Sequence, residues 1–206
     1  GILTAGAIVA LWASYSRSAL LAACVGIVIV LAVAIGRKLP LRSWIIGSVV
    51  LTTIVIGLML SLGNDFVSNV ILHEDPGESN SINSNQGHVE SLQDGVRRFG
   101  QQPIGGGIGS TGSASLYGDS PLIIENQYLF IAHEAGWAGL LVFMVIFAEV
   151  MRQLWIRRQD YLALGVFASG VGLAIIGLLQ PVWVDDAVAI IWWGLAAVTL
   201  GSKRYE

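Results

Sequence analysis

The sequence predicts an all-α protein, a polytopic transmembrane bundle of about six helices with one long extracytoplasmic loop. Of its 206 residues, 54% are hydrophobic and only 12% are charged, whereas soluble domains carry about 25% charged residues. The apolar residues also fall into runs of near-spanning length, separated by polar links. A single cysteine, Cys24, excludes an internal disulfide, and its place in an apolar run is typical of a small buried residue.

The first apolar run, residues 1–13, would cover only about 20 Å of a hydrocarbon core about 30 Å thick. We therefore expect a truncated first helix and a chain that is the C-terminal part of a longer protein. A short polar link, residues 14–18, precedes the second span. The five remaining spans are predicted over residues 19–35, 44–62, 124–150, 161–179 and 187–200. Residues 1–206 are expected to form a single membrane domain.

The polar segment over residues 63–120 is the only stretch able to form a domain outside the bilayer. Within it, apolar residues recur at steps of three and four, which predicts a short amphipathic helix over residues 87–100. These apolar residues are Val89, Leu92, Val96 and Phe99. We expect the helix to lie on the membrane surface or over the bundle, with Asn85 or Ser84 as its cap.

The distribution of basic residues predicts how the helices are oriented across the membrane. Eight of the 11 lysines and arginines lie at one set of helix ends, namely Arg37, Lys38, Arg42, Arg152, Arg157, Arg158, Lys203 and Arg204. The positive-inside rule places these ends in the cytoplasm. The link 14–18, the long loop and the turn containing Asp185 and Asp186 therefore share the outer face.

The glycine-rich stretch contains Gly107-x-Gly109-x-x-Gly112, which has the spacing of a dinucleotide fingerprint. It lacks the preceding strand and the following helix, so that interpretation is rejected. Two readings stay open: backbone N–H groups that bind a phosphate, or a loop that needs positive φ at several positions. His, Cys, Asp and Glu show no metal-ligand spacing, and no nucleophile elbow occurs. We therefore expect metal-independent chemistry, no cofactor and no nucleic-acid partner.

Polar residues at membrane boundaries are the candidate site. Glu125 and Asn126 stand at the mouth of the fourth span, where polar groups are costly unless they serve a purpose. Arg17 lies at an outer boundary normally depleted of positive charge, and either snorkels or anchors an anion such as a lipid diphosphate. His133 and Glu134, two turns below Glu125, favour structural hydrogen bonds. For Arg97 and Arg98, the alternative to a functional role is a set of solvent-exposed ion pairs with acidic residues on the same helix face.

Three blocks together resemble the O-antigen ligase and polymerase superfamily. The blocks are Ser16-Arg17-Ser18, then Gly87-His88-x-x-Ser91-x-x-x-Gly95 with Pro103-Ile104-Gly105-x-Gly107-x-Gly109, and finally Glu125-Asn126 followed after nine residues by Gly136-x-x-Gly139. They occur in the family's order and at suitable spacing. The resemblance covers most of the chain between residues 14 and 147.

The resemblance implies a membrane glycosyltransferase that uses a glycan linked to a polyprenyl diphosphate such as undecaprenyl diphosphate. It implies an enzyme of the bacterial inner membrane, working at the outer face on a glycan, lipid or protein acceptor. Arg17 would bind the diphosphate, and Glu125 would replace the family's usual histidine base. His88 stands where many relatives have a second arginine, so that Arg98 or Arg97 would assist. Asn126, Gly107 and Gly109 would complete the substrate site.

Other functions stay open at this point. The resemblance does not separate a ligase from a polymerase of the same superfamily. A small-solute transporter would use His133, Glu134 and Glu149 as an ion path. A catalytically silent scaffold for envelope assembly would explain the helices but not the polar residues on one face.

Overall fold

The structure, a computed structural model, describes residues 2–14, 16–35, 84–118 and 121–202. Every long element among them is an α-helix, in agreement with the predicted all-α class. The helices are α1 (Ile2–Ala13), α2 (Arg17–Ile35), α3 (Ser84–Gln101), α4 (Gln127–Ile156), α5 (Tyr161–Ile176) and α6 (Asp186–Gly201). Short 3-10 helices cover Gly112–Tyr117 and Val182–Val184. The span predicted over residues 44–62 lies outside the described residues, and so do residues 63–83 of the polar segment that follows it.

The chain forms two compact units, Gly1–Ser84 and Asn85–Glu206, which are considered separately. In the first unit, α1 and α2 pack against each other. The helix α2 begins at Arg17, two residues earlier than predicted, because the Ser16 hydroxyl accepts the N–H of Ala19 at 3.3 Å. A serine in this position satisfies one of the N–H groups that a helix start leaves without a partner.

In the second unit, α4, α5 and α6 pack around one core. Small residues on α5 allow close approach: a Cβ added to Gly170 would lie 2.6 Å from the Trp192 ring. The Trp192 indole N–H donates to the Val166 carbonyl at 3.1 Å, so this buried polar group is satisfied. The buried core residues are Leu154, Ala163, Val166, Trp192 and Ala196.

Side-chain caps define where the helices of the second unit begin. Asn126 caps α4, Asp160 caps α5 and Asp185 caps α6, each accepting two backbone N–H groups of the first turn. For this reason α4 begins at Gln127, three residues later than predicted. Asp185 thereby acquires a structural role at the predicted outer turn.

By length and composition, one helix among the described residues, Gln127–Ile156, could cross a membrane. Three further apolar helices are shorter, over Ser18–Ala34, Tyr161–Ile176 and Asp186–Gly201. A transmembrane bundle is consistent with these lengths. The number of crossings and their orientation stay predictions.

Candidate functional site

The helix α4 is broken at Gly136, a feature that the sequence analysis did not predict. Gly136 adopts φ 72° and ψ −176°, a conformation that is essentially restricted to glycine. A Cβ at this position would lie 2.6 Å from the Ile104 carbonyl oxygen. The part of α4 after the break, about 20 residues or ~30 Å, is still long enough to span a bilayer.

A loop of the polar segment takes over the hydrogen bonds that the break removes from α4. In a continuous helix, the N–H of Trp137 would bond to the carbonyl of His133. Here Trp137 N donates to Pro103 O at 2.9 Å, while His133 O accepts from Gly106 N at 2.5 Å. Glu134 O accepts from Gly107 N at 3.2 Å. The N–H of Trp137 and the carbonyls of His133 and Glu134 are therefore paired, as burial in an apolar environment requires.

The loop that pairs with α4 covers residues 103–112 and is called the glycine loop below. It needs glycine as much as the helix does. The loop glycines have positive φ, at 88° for Gly105, 97° for Gly107, 82° for Gly109 and 70° for Gly112. A Cβ on Gly105 would lie 2.7 Å from Gly136 N, so the two backbones touch. The reading of this stretch as a loop with several positive φ angles is confirmed.

The side chains of Glu134 and His133 face this glycine loop. The Glu134 carboxylate accepts the N–H of Gly109 at 2.8 Å. His133 is buried, and its ring packs against Gly106. Its Nδ1 atom has no hydrogen-bond partner within the described part of the chain. The predicted structural role of both residues agrees with these contacts, except at that one nitrogen.

Glu125, the predicted base, is half-buried in the extended segment immediately before α4. Its backbone N–H donates to the Ser91 hydroxyl of α3 at 2.8 Å, and that hydroxyl donates to Ile123 O at 3.1 Å. From the other side, the Thr111 hydroxyl donates to Leu122 O at 3.1 Å and accepts the N–H of Ile124 at 3.2 Å. The backbone that carries Glu125 is therefore held by α3 and by the glycine loop.

The neighbours of Glu125 are engaged with the end of α5. The Asn126 amide donates to Leu178 O at 2.9 Å while its oxygen caps α4. Gln127 is buried and accepts the N–H of Trp183 at 2.7 Å, and the Tyr128 hydroxyl donates to Ala174 O at 2.9 Å. These contacts give Asn126 a structural role. Sequence reasoning missed Gln127, because its partners lie about 50 residues away along the chain.

The helix α3 runs alongside the first part of α4 in the same direction. Ser91 lies beside Glu125, Gly95 lies so close to Leu129 that a Cβ would be 3.0 Å from it, and Phe99 lies beside Trp137. The Phe99 carbonyl also accepts the Trp137 indole N–H at 2.8 Å. Packing thus uses the small and polar face, whereas most of the predicted apolar stripe, Val89, Leu92 and Val96, is exposed among the described residues.

The two arginines of α3 share one carboxylate. Arg98 Nε donates to Asp94 Oδ2 at 2.6 Å, and Arg97 donates to Asp94 Oδ1. These hydrogen bonds lower the pKa of Asp94 below its ordinary value, chiefly through Arg98. The Arg98 side chain is 30% exposed and the Arg97 side chain 63%, so Arg98 is the more buried of the two.

The remaining predicted residues are placed only at the level of the backbone. Arg17 is the first residue of α2 in the first unit, and His88 lies in the first turns of α3. The backbone N–H groups of Gly107 and Gly109 both donate to Glu134. They are therefore already bonded within the chain and are not available to bind a phosphate. Of the predicted site, the structure brings together α3, the glycine loop and the segment that carries Glu125.

Among the described residues, no group of three or more His, Cys, Asp or Glu side chains is arranged to hold a metal ion. The metal-independent chemistry stays a prediction. A carboxylate beside an arginine-bearing helix at the mouth of a membrane helix can bind a hydroxyl group and accept its proton.

Comparison with known proteins gives one match. A family model described as O-antigen ligase matches residues 2–144, which is more than half of the chain. A search of curated proteins finds none that matches. The matched region contains all three sequence blocks, the break at Gly136 and the glycine loop.

Proposed function

The chain belongs to the O-antigen ligase family, and on that premise we propose that it is a membrane glycosyltransferase. It transfers a glycan from a polyprenyl diphosphate carrier to an acceptor hydroxyl, at the outer face of the cytoplasmic membrane. The acceptor is a lipid, a growing glycan or a protein.

The observation that carries this proposal is the contact between separate motif blocks. Ser91, from the motif over residues 87–95, holds the backbone of Glu125. Residues of the motif over 103–109 pair with the backbone of α4 on either side of Gly136. Residues that are about 30 positions apart in the sequence thus fix the backbone of the segment that carries Glu125. An ionisable residue held at the start of a long apolar helix is typical of a functional site.

In the proposed reaction, the Glu125 carboxylate takes the proton of the acceptor hydroxyl. The hydroxyl oxygen attacks the anomeric carbon of the glycan, and the bond between that carbon and the phosphate oxygen breaks. The electron pair of that bond stays on the departing diphosphate, whose negative charge is neutralised by Arg17 and Arg98, with Arg97 and His88 assisting. Asn126, Gly107 and Gly109 contribute by holding the backbone around the site, since their polar groups are engaged within the chain.

The test is transfer by the full-length protein in membranes that contain the lipid-linked donor. We expect Glu125→Gln and Arg17→Ala to abolish transfer while the protein level is unchanged. The matched control is Glu149→Gln, the same carboxylate-to-amide change near the other end of α4, where Glu149 is exposed and bonded to Arg152. This control should keep its activity. Full activity of both Glu125→Gln and Arg17→Ala would overturn the proposal.

The lipid-linked donor that accumulates in the inactive variant identifies the reaction further. A full-length glycan on the carrier indicates a ligase, whereas a single repeat unit indicates a polymerase. Both outcomes require the same chemistry at Glu125.

A further inference from the structure

Glu134 is a carboxylate that the proposed reaction does not use. It lies on α4 two residues before the break, and it accepts the N–H of Gly109, which is 25 residues away in sequence. The backbone pairing at the break involves residues 103–107 of the loop. The Glu134 side chain extends the anchoring beyond Gly107 to Gly109, a stretch where glycines with positive φ leave the backbone free to adopt many conformations.

The anchored loop leads directly to the segment that carries Glu125. Two residues after Gly109, the Thr111 hydroxyl bonds to Leu122 O and to the N–H of Ile124. Gly112 N donates to Leu122 O at 2.9 Å, and the Ser115 hydroxyl bonds to both backbone groups of Leu122. Glu134 is thereby linked through the loop to the residue that precedes Glu125.

We propose that Glu134 is a positioning residue for Glu125, which it fixes by accepting the Gly109 N–H and so holding the glycine loop against the broken helix. The inference rests on the proposed function. Glu134 contacts neither substrate in this mechanism. What it supplies is a hydrogen-bond acceptor, so an uncharged acceptor of the same shape can replace it. A misplacement of about 1 Å at a reacting group costs on the order of 100-fold in rate, so a loosened loop affects turnover more than substrate binding.

The experiment compares Glu134→Ala and Glu134→Gln in the full-length protein in membranes. We expect Glu134→Ala to lower kcat by about 10- to 100-fold and to leave the KM for the lipid-linked donor almost unchanged. Glu134→Gln keeps the acceptor oxygen and should retain most of the wild-type kcat. Glu125→Gln, by contrast, should be inactive although its change is chemically the same.

Hydrogen exchange of the loop provides a readout that needs no turnover. Amides of residues 105–112 should exchange faster in Glu134→Ala than in the wild type, and at the wild-type rate in Glu134→Gln. Full activity of Glu134→Ala would overturn the inference. So would a Gln variant as inactive as the Ala variant, because the charge and not the acceptor would then matter. An active Glu125→Gln would instead overturn the proposed function, whatever the exchange rates of the loop.

Discussion

At the scale of single residues, Arg98 and Arg97 differ in their surroundings although both bind Asp94. Arg98 is the less exposed of the two. Because the pKa of Asp94 is lowered from its ordinary value of 3.8, its carboxylate is charged at any neutral pH. The stabilisation from these pairs is therefore complete above pH 3.8 and is lost as the pH falls through the lowered pKa. In the proposed reaction, the donor's diphosphate would compete with Asp94 for both arginines.

This difference leads to a prediction about donor binding. Arg98→Ala should raise the KM for the lipid-linked donor by about 10- to 150-fold, since a hydrogen bond to a charged group contributes about 1.5–3 kcal/mol. Arg97→Ala should change that KM by less than about 5-fold, because an exposed ion pair contributes at most about 1 kcal/mol. Initial rates across donor concentrations measure both effects. An equal effect of the two changes would contradict the assignment of Arg98 to the site.

At the scale of elements, the break in α4 determines how the site is built. The glycine loop pairs with α4 only because Gly136 turns its backbone out of the helix, and because Gly105 lets the two backbones touch. The loop also binds the segment before α4. A continuous series of contacts therefore connects the break at Gly136 with the segment that carries Glu125. The break in the helix therefore attaches the polar loop to α4.

Replacement of Gly136 should show this directly. Gly136→Ala places a Cβ 2.6 Å from Ile104 O in a conformation that already costs about 1–3 kcal/mol for other residues. We expect a loss of stability of about 3 kcal/mol or more, seen as a lower melting temperature in detergent. The control is Gly165→Ala in α5, where a Cβ meets nothing within 4 Å and helix propensity improves by about 1 kcal/mol. A Gly136→Ala protein as stable as this control would show that the break is dispensable.

The elements were predicted from the sequence more completely than their contacts. Apolar runs located α2, α5 and α6 to within three residues, whereas α4 begins three residues later and ends six residues later than predicted. The change from polar to apolar residues correctly placed Glu125 at the mouth of that helix. The break was hidden, because a glycine in an apolar run is equally typical of close helix packing. Partners of Ser91 and Gln127 lie 34 and 56 positions away, and no periodicity carries such information. Of the predicted apolar stripe of α3, only Phe99 lies beside α4, and the other contacts with α4 are made by Ser91 and Gly95.

At the scale of the whole molecule, the proposed function requires Glu125 to lie on the outer side of the membrane. The distribution of basic residues predicts this orientation. It places the 3-10 helix Gly112–Tyr117 outside the membrane and the link between α4 and α5 in the cytoplasm. Both segments contain exposed positions, Ser113 in the former and Gln159 in the latter.

Labelling of single cysteines tests the orientation. In a Cys24→Ser background, which removes the one native thiol, Ser113→Cys should react with a membrane-impermeant maleimide in intact spheroplasts. Gln159→Cys should react only after the membrane is permeabilised, because a charged reagent does not cross the hydrocarbon core. The Cys24→Ser protein alone should stay unlabelled in both conditions. If Gln159→Cys reacts in intact spheroplasts and Ser113→Cys does not, Glu125 faces the cytoplasm, and transfer at the outer face cannot depend on it.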